Sequence, residues 1–391
     1  MKTQMRKVLS VLLCAAILVP CFLMSSFAVE NADKTLKFNE DGKFTILNFS
    51  DIQDGYPMKP ITKRYIKDTL DLVKPDLVVL TGDNIAGYRT RTKSASKNEI
   101  CEFMDIFKAA GVKVAMVFGN HDDEDNAAGK AYQYEVYETY DNFIGGDGGK
   151  SEGRLGTFNI PIISSDGSKT AFNIWMTDSG TYNDENDKGG YGCVHKDQIE
   201  WYKKTSDELK EANGGEPVYS INFQHIVVPE IWDALVEHDE QVEGSVDHGG
   251  KYYTLPEGAS GELNETPCPP EYTNGQFAAF LEQGDVLATV SGHDHVNTYE
   301  VDYQGIKIMN TPGIGFNSYN NHVVGSRVFV LDENNPDGFE TYCLAYNDVY
   351  AEDDAVAQSL YELYSDETDT GTKIAAVFKY IFALFMSIFK K

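Results

Sequence analysis

The chain has 391 residues, of which 42% are hydrophobic and 24% charged, with 61 acidic side chains against 33 basic ones. This composition excludes a disordered or collagen-like chain and predicts a protein with a sizeable core. The formal net charge of -28 excludes general attraction to nucleic-acid backbones. An anionic substrate would therefore need a locally positive group, which in an acidic chain is usually a bound metal ion.

Residues 1–28 have the pattern of an export signal. Basic residues lie within Met1 to Lys7, a nearly continuous apolar run extends from Val8 to Met24, and Ser26-Phe27-Ala28 places small residues at the cleavage positions. We therefore expect an exported protein, extracellular or on the cell surface, whose domain occupies residues 29–350.

Strands and helices alternate through this domain, which predicts an α/β fold. Apolar runs rich in β-branched residues predict buried strands, and amphipathic segments between them predict helices. Residues 234–274 are rich in Gly, Pro and Glu and predict a long surface insertion, and paired short strands after residue 298 predict an antiparallel addition. The predicted strands are 44–48, 77–80, 112–118, 172–176, 218–223 and 286–290, and the predicted helices are 60–73, 97–110, 132–143 and 195–213.

Polar clusters follow five of the predicted strands. The carboxyl ends of strands in an open α/β sheet line one crevice, so these clusters are expected to converge. Imidazole and carboxylate groups suit Zn, Fe and Mn, and a carboxylate between two ions can bridge them. A pair of metal ions about 3.5–4 Å apart can hold both the attacking and the leaving oxygen of a phosphoryl displacement. The clusters are Asp51-Ile52-Gln53, Gly82-Asp83, Gly119-Asn120-His121-Asp122, Gln224-His225 and Gly292-His293-Asp294-His295.

The ordered clusters resemble the motifs of the calcineurin-like metallophosphoesterase superfamily, which reads D-x-H, G-D, G-N-H-D/E, a His at a strand end and G-H-x-H. The segments 176–180, 198–202 and 292–297 resemble its purple-acid-phosphatase-like branch. The resemblance covers about residues 43–345. It implies a single catalytic domain built as a four-layer α/β/β/α sandwich, with the metal ions at one edge.

The resemblance also implies a role for each cluster. Asp83 would bridge two divalent metal ions, and His121 would be the acid that protonates the leaving alkoxide or steadies the transition state. Asp122 would orient the His121 ring, as carboxylates commonly do. The first ion would be held by Asp51 and His295, and the second by Asn120, His225 and His293.

The sequence departs from the family pattern at two positions. Gln53 stands where the family usually has a metal-binding His, so the first site either lacks one ligand or uses the amide oxygen. Oxygen is the harder donor, which favours Mn or Fe over Zn at this site. Ala86 stands where purple enzymes have a tyrosinate, so we do not expect an Fe(III) chromophore.

The leading hypothesis is an exported phosphoesterase that hydrolyses phosphomonoesters by attack of a metal-bound hydroxide. One alternative is a phosphodiesterase or nucleotidase of the same fold, in which Tyr182, Tyr191 or Tyr252-Tyr253 could stack a base. Another is a surface protein that binds metal but has lost catalysis. We expect a phosphate-ester substrate, with no nucleic-acid-binding surface and no obligate protein partner. The histidines predicted not to bind metal are His195, His238, His248 and His322.

The C-terminal region predicts a membrane-associating helix. After a predicted helix and polar linker at 351–372, residues 373–391 contain an apolar run from Ile374 to Phe389 followed by Lys390-Lys391. Sixteen helical residues extend about 24 Å, less than the roughly 30 Å hydrocarbon core of a bilayer. A helix lying in the membrane interface therefore competes with a short spanning helix, and a helix docked on the domain is the remaining alternative.

Overall fold

The computed structural model describes residues 34–146, 155–183 and 189–388, and the predicted export signal lies outside them. The main compact unit begins at Lys37. The strands are β1 (Leu36–Lys37), β2 (Lys43–Phe49), β3 (Leu77–Thr81), β4 (Lys113–Val117), β5 (Phe158–Ile163), β6 (Thr170–Met176), β7 (Ser220–Phe223), β8 (Val236–His238), β9 (Val246–His248), β10 (Lys251–Thr254), β11 (Val286–Ser291), β12 (Glu300–Tyr303), β13 (Ile306–Asn310), β14 (Gly325–Asp332) and β15 (Phe339–Ala345). The helices are α1 (Pro60–Val73), α2 (Lys93–Ala110), α3 (Gly129–Glu138), α4 (Lys196–Ala212), α5 (Ile231–Ala234), α6 (Gln276–Gln283), α7 (Tyr346–Val349), α8 (Ala355–Tyr364) and α9 (Thr370–Ile388).

The strands form two large sheets and one small one. The larger sheet has the order β1-β5-β6-β7-β11-β13-β12, and the second has the order β15-β14-β2-β3-β4. Strands β2, β3 and β4 are parallel, as are β6, β7, β11 and β13. The late pairs β12–β13 and β14–β15 are antiparallel, as predicted. The α/β fold class is therefore confirmed.

The two large sheets pack face to face and helices cover their outer faces. Phe223 of β7 meets Phe329 of β14 between the sheets, with ring centroids 5.4 Å apart. On one outer face Phe49 of β2 packs against Phe107 of α2. On the other, Trp175 of β6 packs edge-on against Tyr202 of α4. These contacts establish the predicted four-layer sandwich.

Several elements were missed by the sequence prediction. Strand β5 contains Pro161, which weakens its strand signal. Helix α6 has only eight residues, too few for a clear helical period. Helix α2 begins at Lys93 rather than at residue 97, because the Thr92 hydroxyl accepts a hydrogen bond from the Ala95 amide and caps the extra turn. The predicted surface insertion contains the small sheet β8-β10-β9.

The C-terminal helices α8 and α9 lie against each other. Lys379 of α9 forms an ion pair with Glu362 of α8 at 2.7 Å, and Ala376 is fully buried. The other side of α9 is apolar and open to solvent, with Phe378 68% and Phe382 65% exposed. Within residues 34–146, 155–183 and 189–388, no helix combines the length and hydropathy needed to cross a membrane.

Candidate metal centre

The strand ends hold several side chains of the centre in an unusual backbone conformation. Asp51, Asp83 and His293 follow β2, β3 and β11 and have φ values of 52°, 49° and 70°. Gln53 also has a positive φ, of 35°. Non-glycine residues in this region cost about 1–3 kcal/mol each, and such strain concentrates at functional sites. This backbone conformation turns the chain sharply at the end of each strand. The side chains therefore meet at the edges of the sheets.

Two groups of buried side chains meet at these strand ends. One group is Asp83, His225 and His293, and the other is Asp51, Asp83 and His295. Within each group the candidate ligand atoms all lie within 4.8 Å of one another. Asp83 belongs to both groups, so its carboxylate stands where one residue could bridge two cations.

The hydrogen bonds of the two outer histidines leave one ring nitrogen of each for the centre. His225 donates from Nδ1 to the Thr81 carbonyl at 2.8 Å, and its Nε2 lies 3.3 Å from Asp83 Oδ2. His295 contacts the Ser318 hydroxyl through Nδ1 at 2.8 Å, and its Nε2 lies 3.5 Å from Asp51 Oδ1. Such outer contacts fix the tautomer and the ring orientation of a metal-binding histidine.

Buried atoms without hydrogen-bond partners indicate that the residues fit a pair of cations. Asp51 Oδ1 and His293 Nε2 are both buried, and neither has a hydrogen-bond partner among the residues that the structure describes. An unpaired buried carboxylate oxygen costs free energy that a cation would recover. The donor set of carboxylate, imidazole and amide oxygen suits Mn, Fe or Zn.

The charges of the centre respond strongly to burial. Burial lowers the pKa of His293 well below its usual value, with His225 acting in the same direction, so the His293 ring is neutral and able to bind metal. Burial alone would lower the pKa of His225, but the Asp83 carboxylate raises it to about 9. The imidazole of a metal ligand must be neutral, so metal binding at His225 would release this proton.

Gln53 and Asn120 complete the cluster around Asp83 and His225. The Gln53 side-chain amide donates to Asp83 Oδ2 at 2.5 Å. Asn120 Oδ1 lies 3.1 Å from His225 Nε2. The structure therefore brings together every residue that the sequence predicted as a metal ligand.

His121 stands beside this cluster, but its partner differs from the prediction. Its backbone amide donates to Asp83 Oδ1 at 2.7 Å, and its ring Nδ1 contacts the carboxylate of Glu124. Asp122 instead accepts from the amides of Gly119 and Ile85, at 2.6 and 3.1 Å. The prediction that Asp122 orients the His121 ring is therefore corrected: Glu124 makes that contact. The Asp122 carboxylate instead holds the backbone of the turn that carries Asn120.

Burial and the neighbouring Asp83 raise the pKa of Asp122 to about 8. Asp122 is fully buried. Asp122 thus supports the backbone of the loop and does not face a substrate.

Close packing at the centre requires glycine at two positions. A Cβ atom on Gly292 would lie 1.8 Å from the Ser50 hydroxyl and 2.7 Å from Asp51 Oδ2. A Cβ atom on Gly119 would lie 2.1 Å from Asp83 Oδ1. The backbone at both positions therefore lies directly against the acidic ligands, as expected where two segments of the backbone approach closely.

Tyrosines surround the centre. Tyr319 stacks on His295 with ring centroids 4.3 Å apart, and Tyr191 meets His293 edge-on at 4.4 Å. Tyr182 stacks on Tyr191, and its hydroxyl donates to Glu124. The loop after β6 thus connects Glu124, the partner of His121, to His293. No sequence motif marked Glu124, Ser318 or Tyr319, and the three-residue spacing of Glu124 from His121 is the one sequence signal that could have indicated a contact.

The remaining histidines are placed away from the two ligand groups. His195 precedes α4, and His238 contacts the Thr254 hydroxyl at 2.9 Å. His248 stacks on Trp232, and His322 is exposed in the loop before β14. None of the four belongs to either ligand group.

Comparisons with known proteins identify the family of this chain. A model of the calcineurin-like phosphoesterase family matches residues 44–297. The chain is similar to "Probable inactive purple acid phosphatase 14" of Arabidopsis thaliana, with 26% identity over 369 residues that cover 85% of each protein. It is also similar to the phosphatase DCR2 of Saccharomyces cerevisiae, with 25% identity over 314 residues, 72% of this chain and 49% of the yeast protein. Among solved structures it resembles a dimetal phosphatase from Danio rerio, with a TM-score of 0.44, 14% identity and coverage of 77% of this chain and 98% of that one.

The family match contains all five polar clusters, from Asp51 to His295. The name of the Arabidopsis relative agrees with the branch that the motifs predicted. The chain belongs to the calcineurin-like phosphoesterase family, in its purple-acid-phosphatase-like branch.

Proposed function

We propose that this protein is a metal-dependent phosphoesterase that hydrolyses phosphomonoesters. The observation that carries the proposal is the position of Asp83, whose carboxylate belongs to two buried ligand groups at once. When bound, two divalent cations would activate water and neutralise the charge on the phosphate oxygens. In a chain with a net charge of -28, these cations would also supply the local attraction for an anionic substrate.

The chain's own residues would hold the cations and deliver a proton. Asp51, Gln53 and His295 would hold the first cation, and Asp83 would contact both. His121 would protonate the leaving alkoxide, since its side chain is 30% exposed and accessible to a substrate. The hydrogen bond from the His121 backbone amide to Asp83 Oδ1 fixes the position of this acid relative to the carboxylate that would contact both cations. Asn120, His225 and His293 would hold the second cation.

Three Arabidopsis relatives carry the word "inactive" in their names, whereas the yeast relative is named a phosphatase. This chain has Gln53 in place of the usual histidine, which is the feature that favours lost catalysis. It keeps His121 with a carboxylate partner, and a protein that only binds metal has no need of an acid. The intact acid favours an active enzyme.

The test is hydrolysis of an aryl phosphate by purified protein loaded with Mn, Fe or Zn. We expect turnover that a chelator removes and Mn restores. Asp83→Asn should lower the metal content, whereas His121→Ala should keep the metal and lose about 10²–10⁴-fold in rate. Absence of turnover on both monoesters and diesters with metal bound would overturn the proposal. Faster turnover of diesters or nucleotides would assign the alternative activity.

We also propose that the protein is exported and lies on a membrane surface through α9. The pattern of residues 1–28 supports export. The exposed Phe378 and Phe382 support binding at a lipid interface. In the sequence, Lys390-Lys391 come directly after this apolar segment. An anionic lipid surface would complement those lysines.

A further inference from the structure

A cavity of about 340 Å³ lies beside the candidate metal centre. Its walls are formed by Tyr191, Trp232 and a proline-rich segment at 266–271 that belongs to the predicted insertion. This volume is within the range of small-molecule sites, which are commonly lined by aromatic and apolar groups.

Two parts of the cavity wall contact the loop that carries His293 and His295. Tyr191 meets His293 edge-on with ring centroids 4.4 Å apart. The backbone amide of Cys268 donates to Asp294 Oδ1 at 3.2 Å, and Asp294 lies between His293 and His295. The cavity wall therefore contacts the loop that carries His293 and His295 at two points.

The indole of Trp232 is held rigidly in the wall. It stacks on His248 with ring centroids 4.0 Å apart and an interplanar angle of 20°, and it packs against Tyr253 at 4.9 Å. A fixed aromatic wall binds a flat partner with little loss of conformational freedom.

The charges around the cavity restrict what can enter. No Lys or Arg is found among the described residues that line it, and Glu271 stands at its exposed edge. A second anionic group, such as a further phosphate, would therefore be repelled, whereas a neutral flat group would not.

We propose that this cavity binds the leaving group of the substrate, and that the preferred substrates are phosphomonoesters of neutral alcohols bearing an aromatic ring. The proposal rests on the proposed phosphoesterase function. The ring would enter between Tyr191, Trp232 and Pro267, while the phosphate stays at the metal centre.

The test compares benzyl phosphate with ethyl phosphate, since both release a primary alcohol and differ mainly in the ring. We expect a KM for benzyl phosphate about tenfold below that for ethyl phosphate. Trp232→Ala should reduce this ratio towards one, and Trp232→Leu, which keeps apolar volume, serves if the alanine variant does not fold. Tyr342→Ala removes an exposed aromatic ring on β15 and should leave the ratio unchanged.

A binding measurement separates this inference from the proposed activity. Benzylphosphonate, which cannot be hydrolysed, should quench tryptophan fluorescence of the metal-loaded protein at concentrations where methylphosphonate does not, and Trp232→Leu should abolish the quenching. Equal KM values for the two esters, or equal binding of the two phosphonates, would overturn the inference. If neither ester is hydrolysed, the phosphonates alone decide the cavity, and the aryl phosphates and diesters of the activity test decide the proposed function.

Discussion

The ring Nδ1 of His121 contacts the carboxylate of Glu124, three residues further along the same loop. The pair stands at the edge of the metal centre, and the Tyr182 hydroxyl donates to the second carboxylate oxygen of Glu124 at 3.3 Å. Glu124 therefore fixes the orientation of the proposed acid and connects it to the loop that covers the site.

Glu124→Gln should lower kcat about 10–100-fold and leave the metal content unchanged, because the change disturbs the orientation of His121 without touching a ligand. The measurement is steady-state kinetics across pH combined with metal analysis. Asp125→Asn, an exposed change on the same loop, is the control. A loss of metal in Glu124→Gln would show that Glu124 supports the centre itself and not the acid.

Gln53→Ala should remove one of two bound ions. Gln53 follows β2, as Asp51 does, and its amide donates to Asp83 Oδ2, whereas the change leaves His225 and His293 in place. Metal analysis should therefore give about one ion per chain instead of about two. Gln53→His should restore two ions and increase the preference for Zn, because imidazole is a softer donor than an amide oxygen. Two ions in Gln53→Ala would contradict a role in binding.

Gly292→Ala should weaken metal binding without altering any ligand. Its Cβ atom would overlap the Ser50 hydroxyl and push against Asp51 Oδ2. Gly214→Ala is a matched control, because its Cβ atom would meet nothing within 4 Å and its φ of 76° alone costs about 1–2 kcal/mol. Both variants should lose stability, but only Gly292→Ala should lose metal. Full metal content in Gly292→Ala would show that the loop can move aside.

Glu99 should make the free energy of unfolding depend on pH. Burial raises the pKa of Glu99 well above its ordinary value of 4.5, and the facing carboxylates of Asp54, Asp122 and Glu102 act in the same direction, against a hydrogen bond from the Gly55 amide. Above pH 4.5 the unfolded chain has lost a proton that folded Glu99 keeps. The free energy of unfolding should therefore fall as pH rises from there towards the raised pKa.

Glu99→Gln removes this titration, so its free energy of unfolding should fall less over the same rise in pH. Urea unfolding of both proteins at about pH 5 and about pH 8 measures the difference. Glu135→Gln, an exposed change on α3, should behave like the original protein. Parallel pH profiles for Glu99→Gln and the original protein would refute the assignment.

Changing Phe378 and Phe382 together to Ser should reduce binding to vesicles of phosphatidylserine and phosphatidylcholine more than tenfold. Burying each ring in lipid is worth about 1.5–3 kcal/mol, and both rings are exposed on the domain. Co-sedimentation measures the binding, and Tyr342→Ser is the control for an exposed aromatic ring elsewhere. If neither protein sediments with vesicles and light scattering shows a dimer that the double change dissociates, α9 is a contact between copies.

The sequence was sufficient to predict most strands of the two large sheets and the cluster of side chains at their ends, because both depend on local patterns. Asp51, Asp83 and His293 each directly follow an apolar run, and parallel strands bring their ends to one edge. Glu124 was missed because Asp122, nearer in sequence and matching the motif, is committed to two backbone amides that only the folded turn reveals. Glu265 was missed because its contacts span more than thirty residues.

Glu265 connects the insertion to residues beside the metal centre. One carboxylate oxygen accepts from the Val296 amide at 2.8 Å and the other from the Tyr319 hydroxyl at 2.6 Å, while Tyr319 itself stacks on His295. The small sheet β8-β10-β9 lies earlier in the insertion and takes no part in these bonds. The small sheet instead contributes His248 to the wall of the cavity. A substitution of His248 would therefore change the ligand preference of the cavity while the metal ligands keep their positions, so His248 is the place to redesign selectivity.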